Sequence, residues 1–236
     1  NLEALALTRH LEETIESPRK VIQVFDKQTA AQSAAKTLRQ GLTDNKRVKL
    51  IDIEIESNQH LDPAFWRRLA VKYDQAIWVL WLDAEKLQDL GPLKKTTDAV
   101  TNIYLSASLQ QDIKALQQHP IRSNFTLLTP YRVIDSEKSA QRFQIWARLR
   151  GLPVTNLHLQ SSSFLTATLV GETLMHMRSN FSREYFIERI EHIADNLINP
   201  SLYPRISLAP GQRFAAKGCY LWEMSKDFDT ARWIVP

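Results

Sequence analysis

Six polar residues of this 236-residue chain stand where an α/β protein does its chemistry: Asp26, Thr29, Asp83, Ser106, Ser108 and Tyr131. Each follows a short apolar run that reads as a β-strand. In a parallel sheet, loops and helix N-termini converge at the carboxyl ends of the strands, and ligands bind in the crevice there. Carboxylates, hydroxyls and a phenol gathered at that edge would hold a small polar ligand, neutral or anionic, through hydrogen bonds. Ser161-Ser-Ser163 offers further hydroxyl donors near another helix start. Taken singly, Asp83, Ser108 and Ser163 read equally well as ordinary helix N-caps.

Bond-making chemistry finds no signature. The six histidines (His10, His60, His119, His158, His176, His192) never stand three or four apart, and no H-E-x-x-H occurs, so no metal site is expected. There is no G-x-S-x-G elbow. The single cysteine, Cys219, has no identifiable base and reads as a small buried hydrophobe, and alone it forms neither an internal disulfide nor a CxxC pair. Six glycines scattered singly build neither a P-loop nor a G-x-G-x-x-G turn, and no cofactor is expected. The formal charge of +4 is spread along the chain without a basic, aromatic-interleaved stripe, which argues against a nucleic-acid partner.

The positioning elements follow from periodicity. Residues 2–17 form an amphipathic helix stopped by Pro18; 21–25 a short strand; 29–42 an Ala-rich helix that Gly41 helps to end. A second strand is expected at 48–55, and a helix from Asp62-Pro63 to residue 73. The run Ala76-Ile-Trp-Val-Leu-Trp-Leu82 is apolar on both faces, as in a parallel strand covered on both sides. It is far short of the ~20 residues of a membrane span. Trp78 and Trp81, three apart in it, point to opposite faces and belong under the two helical layers. Phe65 and Trp66, if exposed together, would mark an interaction surface. Strands at 102–106 and 125–129 flank a helix at about 108–118. Strands and helices alternating in this way predict an α/β fold with a doubly wound parallel sheet.

After Pro130 three helices follow one another, at 136–150, 157–179 and 183–197, broken at Gly151-Leu-Pro153 and Ser179-Asn180. The middle one is apolar almost all round near Phe164 and Leu169 and should be well buried. Short strands return from Ile206, at 218–223 and 231–235. The expected organisation is an α/β ligand-binding lobe (1–135), a helical segment (136–200) and a β-rich tail (201–236).

The tail Tyr203-Pro-Arg-Ile-Ser-Leu-Ala-Pro-Gly-Gln-Arg-Phe-Ala-Ala-Lys-Gly-Cys-Tyr-Leu221 resembles the closing run of extracellular solute-binding proteins of the branched-chain amino acid ABC-transporter type, the type I periplasmic binding fold. Lys20-Val-Ile-Gln-Val-Phe-Asp-Lys-Gln-Thr-Ala-Ala-Gln-Ser-Ala-Ala-Lys-Thr-Leu38 is similar to the strand, D-x-x-Y-G turn and helix that open that family's second lobe. The resemblance implies that residues 20–130 form the second lobe, the helices return to a first lobe absent from these residues, and the tail crosses back. It implies that Phe164, at the start of the buried helix, faces the cleft. Where the family commonly places Tyr-Gly, this chain has Ala30-Ala31, so the aromatic that usually packs on the ligand is missing.

What the resemblance implies is a non-enzymatic, periplasmic or otherwise extracytoplasmic protein. It would close two lobes over a small polar ligand, amino-acid-like or a small amide or carboxylate, and present it to a membrane transporter or receptor protein. The N-terminus enters a charged helix directly without a signal-peptide pattern, as a mature secreted chain would. The alternative is a degenerate member of the same fold serving as a protein-interaction or regulatory module. A third reading, an α/β enzyme, would need a perturbed acid–base pair.

Overall fold

The computed structural model describes residues 1–90, 100–109, 116, 118–132, 136–179, 181–198, 201–203, 205–209, 215–224 and 231–235. They divide into two compact units, Asn1–Thr129 with Cys219–Pro236, and Pro130–Gly218. The strands of the first unit are β1 (Arg19–Asp26), β2 (Val48–Ile55), β3 (Ala76–Trp81), β4 (Val100–Ser106), β5 (Phe125–Thr129), β6 (Cys219–Glu223) and β7 (Ala231–Ile234). They form one sheet in the order β2-β1-β3-β4-β5-β6-β7. The first five run parallel; β6 and β7 add antiparallel. This is the α/β sheet expected from the sequence, closed by the tail on one edge.

The apolar runs sit where two-sided burial demands them. β3 and β5 are buried along nearly their whole length, whereas β2, on the edge, is mostly half-buried. Helices α1 (Leu2–Thr14), α2 (Thr29–Leu42) and α3 (Pro63–Lys72) cover the sheet. Right-handed crossovers put α2 and α3 on opposite faces, and the two tryptophans report both. Trp78 stacks on Trp66 of α3, ring centroids 6.0 Å apart. Trp81 donates from Nε1 to Gln23 Oε1 (3.0 Å), and Gln23 Nε2 donates to the Ala35 carbonyl in α2 (3.1 Å). Trp66 is fully buried, so it and the half-buried Phe65 form no exposed patch.

Helix α1 is shorter than its periodicity suggested. It ends at Thr14 because Ile15 turns extended (φ −87°, ψ 101°) and buries its side chain, ahead of Pro18. Gly41 does not end α2 but lies inside its last turn. A Cβ there would stand 2.6 Å from the Thr8 side chain of α1, so the missing side chain is what lets α1 seat against α2. The helix expected over 108–118 falls largely on 110–115 and 117, outside the described residues; Ala107–Leu109 is a 3-10 turn. Tail residues 204 and 210–214 and the Asn180 break are also outside them.

The second unit carries α4 (Gln141–Leu149), α5 (Leu157–Met177) and α6 (Arg183–Asp195), preceded by a one-turn helix Ser136–Ser139. One continuous helix over 136–150 was expected; the chain breaks at Ala140 instead. Gly151, at φ 64°, closes α4: its N–H donates to Arg148 O (3.1 Å) and that of Leu152 to Ala147 O (2.9 Å), the paired bonds of a Schellman motif. Leu169, Ala194 and Ile206 form one core cluster of the unit. The expectation of a well-buried α5 is overturned. Only Ser161, Leu169, Thr173 and Met177 are buried, a single stripe, while Leu159, Leu174 and Met175 are exposed. A helix apolar on all sides is buried only where neighbours pack on all sides, and here they cover one stripe.

Candidate functional site

The strand order reverses between β1 and β3, the topological switch point at which sheets ordered 2-1-3-4-5 hold ligands. A cavity of about 280 Å³ lies there, lined by Asp26, Gln28, Ala31, Trp81, Asp83 and Ser108 among others. Three of the sequence-derived candidates therefore meet at one site.

Asp26 closes β1 and is 2% exposed. Its Oδ1 accepts the Gln28 N–H (3.0 Å), and its Oδ2 pairs with Lys86 Nζ at 3.0 Å. Asp83 caps the one-turn helix Ala84–Leu87, accepting the Lys86 N–H at 3.1 Å, and its Oδ2 holds the same ammonium at 3.1 Å. Burial disfavours the Lys86 charge, but the bonds to Asp26 and Asp83 outweigh it and its pKa is raised. Two carboxylates thus share one fixed cation.

Ser106 and Ser108, at the end of β4 and just beyond it, turn their hydroxyls to Glu3 of α1. Ser108 Oγ donates to Glu3 Oε1 at 2.9 Å and its N–H to the same oxygen at 3.1 Å; Ser106 Oγ donates to Oε2. Burial pushes the Glu3 carboxyl above its ordinary value, against the pull of these bonds. Thr29 opens α2 in an exposed position and does not line the cavity.

The other two candidates lie in the second unit. Tyr131 packs on His158 with ring centroids 3.9 Å apart, and His158 in turn faces Tyr203 at 6.4 Å. Half-buried Phe164 packs against Phe143 (5.8 Å) and Trp146 (5.0 Å).

Sequence reasoning missed Glu3 and Lys86. Glu3 left a signal: it shares a helical stripe with Ala6 and Leu7, a carboxylate on the buried face of α1. Lys86 left only its position three residues after Asp83. Among the described residues no three His, Cys, Asp or Glu side chains cluster to hold a metal, and no helix is long and apolar enough to cross a membrane.

No family model matches the chain and no curated protein is similar to it in sequence. Solved structures do match. A branched-chain amino acid ABC transporter protein of Rhodospirillum rubrum superposes with a TM-score of 0.71 at 12% identity, over 100% of this chain and 65% of its own. A branched-chain amino acid ABC transporter protein of Thermus thermophilus with bound valine gives 0.69 at 15%, over 99% of this chain and 64% of its own. A solute-binding protein of R. palustris in complex with benzoate gives 0.64 at 11%, over 100% and 63%. The chain has the fold of ABC-transporter solute-binding proteins and spans less than two thirds of the length of each.

Proposed function

We propose that the chain belongs to a non-enzymatic solute-binding protein that takes a small polar ligand into a cleft and presents it to an ABC transporter or another membrane partner. The observation that carries this reading is the cavity at the β1/β3 switch point, where Asp26, Asp83 and Ser108 converge in a fold otherwise used for solute capture. Asp83 and Ser108 supply hydrogen-bonding groups from one wall of that cavity. Valine and benzoate, held by two of the matching proteins, are both small carboxylates. One of the other matches is named a periplasmic protein, which supports an extracytoplasmic site of action.

The test is thermal unfolding of the full-length polypeptide against amino acids, amides, small carboxylates and ureas. A true ligand at 100 times its dissociation constant stabilises by about 2.7 kcal/mol, a shift of several degrees. Replacing Asp83 with alanine should abolish it. Silence across all four classes sinks the reading.

A second reading is favoured by one observation. The groups that would greet a ligand are engaged within the chain, Ser106 and Ser108 by Glu3, Asp26 and Asp83 by Lys86. Such a cleft would serve a protein-interaction or regulatory module.

A further inference from the structure

A groove of about 910 Å³, larger than the carboxyl-end cavity, lies at the opposite end of the sheet. It falls within the roughly 300–1,000 Å³ of small-molecule sites. Its floor is one face of the sheet at the amino ends of the strands. Tyr104 of β4 is in register with Thr126 of β5, and Thr126 with Glu223 of β6, so the three side chains form a row across three strands. Asn102, two residues before Tyr104, extends that row along β4. The wall is the last turn of α1. His10 Nε2 and the Tyr104 hydroxyl are 3.0 Å apart, and Thr14 and Ile15 line the groove beyond them.

The floor is polar where a helix-covered sheet face would be apolar. Asn102, Thr126, Glu223 and Tyr104 bring an amide, a hydroxyl, a carboxylate and a phenol, with Ile77 and Leu221 as apolar ground between them. The formal charges balance: Arg19 and Arg232, and Glu16 and Glu223, all line the groove. Arg232 is further held by Glu13 of α1 at 2.8 Å. His10 stays neutral, since burial and then the Arg232 charge lower its pKa to about 4.

We propose that this groove is a binding site for a short neutral saccharide. The lining carries two guanidinium groups and two carboxylates, so a phosphate or carboxylate ligand meets repulsion there as well as attraction. A purely apolar ligand would strip water from the amide, hydroxyl and carboxylate without replacing its hydrogen bonds. Sugar hydroxyls each donate and accept, which matches an amide, a threonine hydroxyl and a phenol that do the same. The C–H face of a pyranose ring suits the Ile77 and Leu221 ground. The site is independent of the carboxyl-end cavity, which shares none of these residues.

The experiment is calorimetric titration of the chain with cellobiose, maltose and N,N′-diacetylchitobiose, with triglycine and inorganic phosphate as contrasting probes. At least one disaccharide should bind, and Asn102→Ala should weaken it by about tenfold, the loss of one well-made hydrogen bond. Asn102 is exposed, so the variant should keep the native melting temperature. Tyr104→Phe, which deletes one hydroxyl and keeps the ring, should weaken binding in the same direction. No heat from any disaccharide, tighter binding of triglycine or phosphate, or full affinity in both variants overturns the proposal. The carboxyl-end reading stands or falls separately, on the melting response of Asp83→Ala.

Discussion

The two ends of one sheet face have been put to opposite uses. α1 lies antiparallel along β4, so Glu3 meets Ser106 at the carboxyl end and His10 meets Tyr104 toward the amino end. At the carboxyl end four charged groups are tied down: Glu3 takes two hydroxyls and an N–H, and Lys86 bridges Asp26 and Asp83. What remains is a cavity of about 280 Å³. At the amino end α1 stops at Thr14, and the sheet beyond it is left as a groove of about 910 Å³. Helix length thus decides which end is filled. The lesson is that a sheet's carboxyl edge gathers polar groups by topology, but its openness depends on what the covering helix brings to them.

Breaking the carboxyl end should cost most. Glu3→Ala leaves the Ser106 hydroxyl and the Ser108 N–H without their buried acceptor, and chemical denaturation should show a loss of about 1–3 kcal/mol. Glu3→Gln keeps an acceptor and loses the buried charge, so it should lie much closer to wild type.

Next in size is the seat of α1, which serves both ends. Gly41→Ala thrusts a methyl against Thr8, and overpacking of this kind costs about 1–3 kcal/mol unless the helix shifts. A shift should disturb both the Glu3 and the His10 contacts, visible as simultaneous changes in the amide shifts of Ser108 and Tyr104.

The two ends should also answer pH with opposite signs. The Glu3 pKa is raised in the fold, so its favourable share of stability is full below its ordinary value of 4.5 and is lost as pH climbs through the raised one. The His10 pKa is lowered from 6.5 to about 4, so the unfolded chain binds the extra proton between those values and stability falls as pH drops through that window. Stability measured from pH 4 to 7 should therefore flatten on its acid side in His10→Gln, while Glu3→Gln should gain on wild type as pH rises. Curves unchanged by both substitutions would erase the contrast.

The smallest effect is expected at the amino end. Tyr104→Phe removes one hydroxyl partner of His10 and should cost about 0.5–1.5 kcal/mol in the same denaturation assay.

Much of this fold could be read from the chain. The helix Thr29–Leu42 and the strand Phe125–Thr129 stand where periodicity put them, because an Ala-rich amphipathic stretch and a short apolar run bounded by polar residues are local signals. The assignment of Trp78 and Trp81 to opposite layers needed only the two-residue period of a strand. Of the site, Asp26, Asp83 and Ser108 were legible because parallel topology brings strand ends together. Glu3 and Lys86 were not, since neither has a partner defined by spacing to Ser106 or Asp26. The exposed apolar residues of Leu157–Met177 were misjudged for a related reason: composition measures how apolar a helix is, not how many neighbours it has.

The sequence by itself determined the alternation of strands and helices, the two-sided burial of the central strands and the absence of any local catalytic motif. These properties reside in periods of two and 3.6 residues and in short spacings. Only the tertiary structure decided that a glutamate from the first helix would take the hydroxyls at one end of β4, and that the same helix would stop short of the other. Those contacts join Glu3 to Ser106 and His10 to Tyr104, pairs separated by roughly a hundred residues in sequence and brought together only when the sheet closes against its helix.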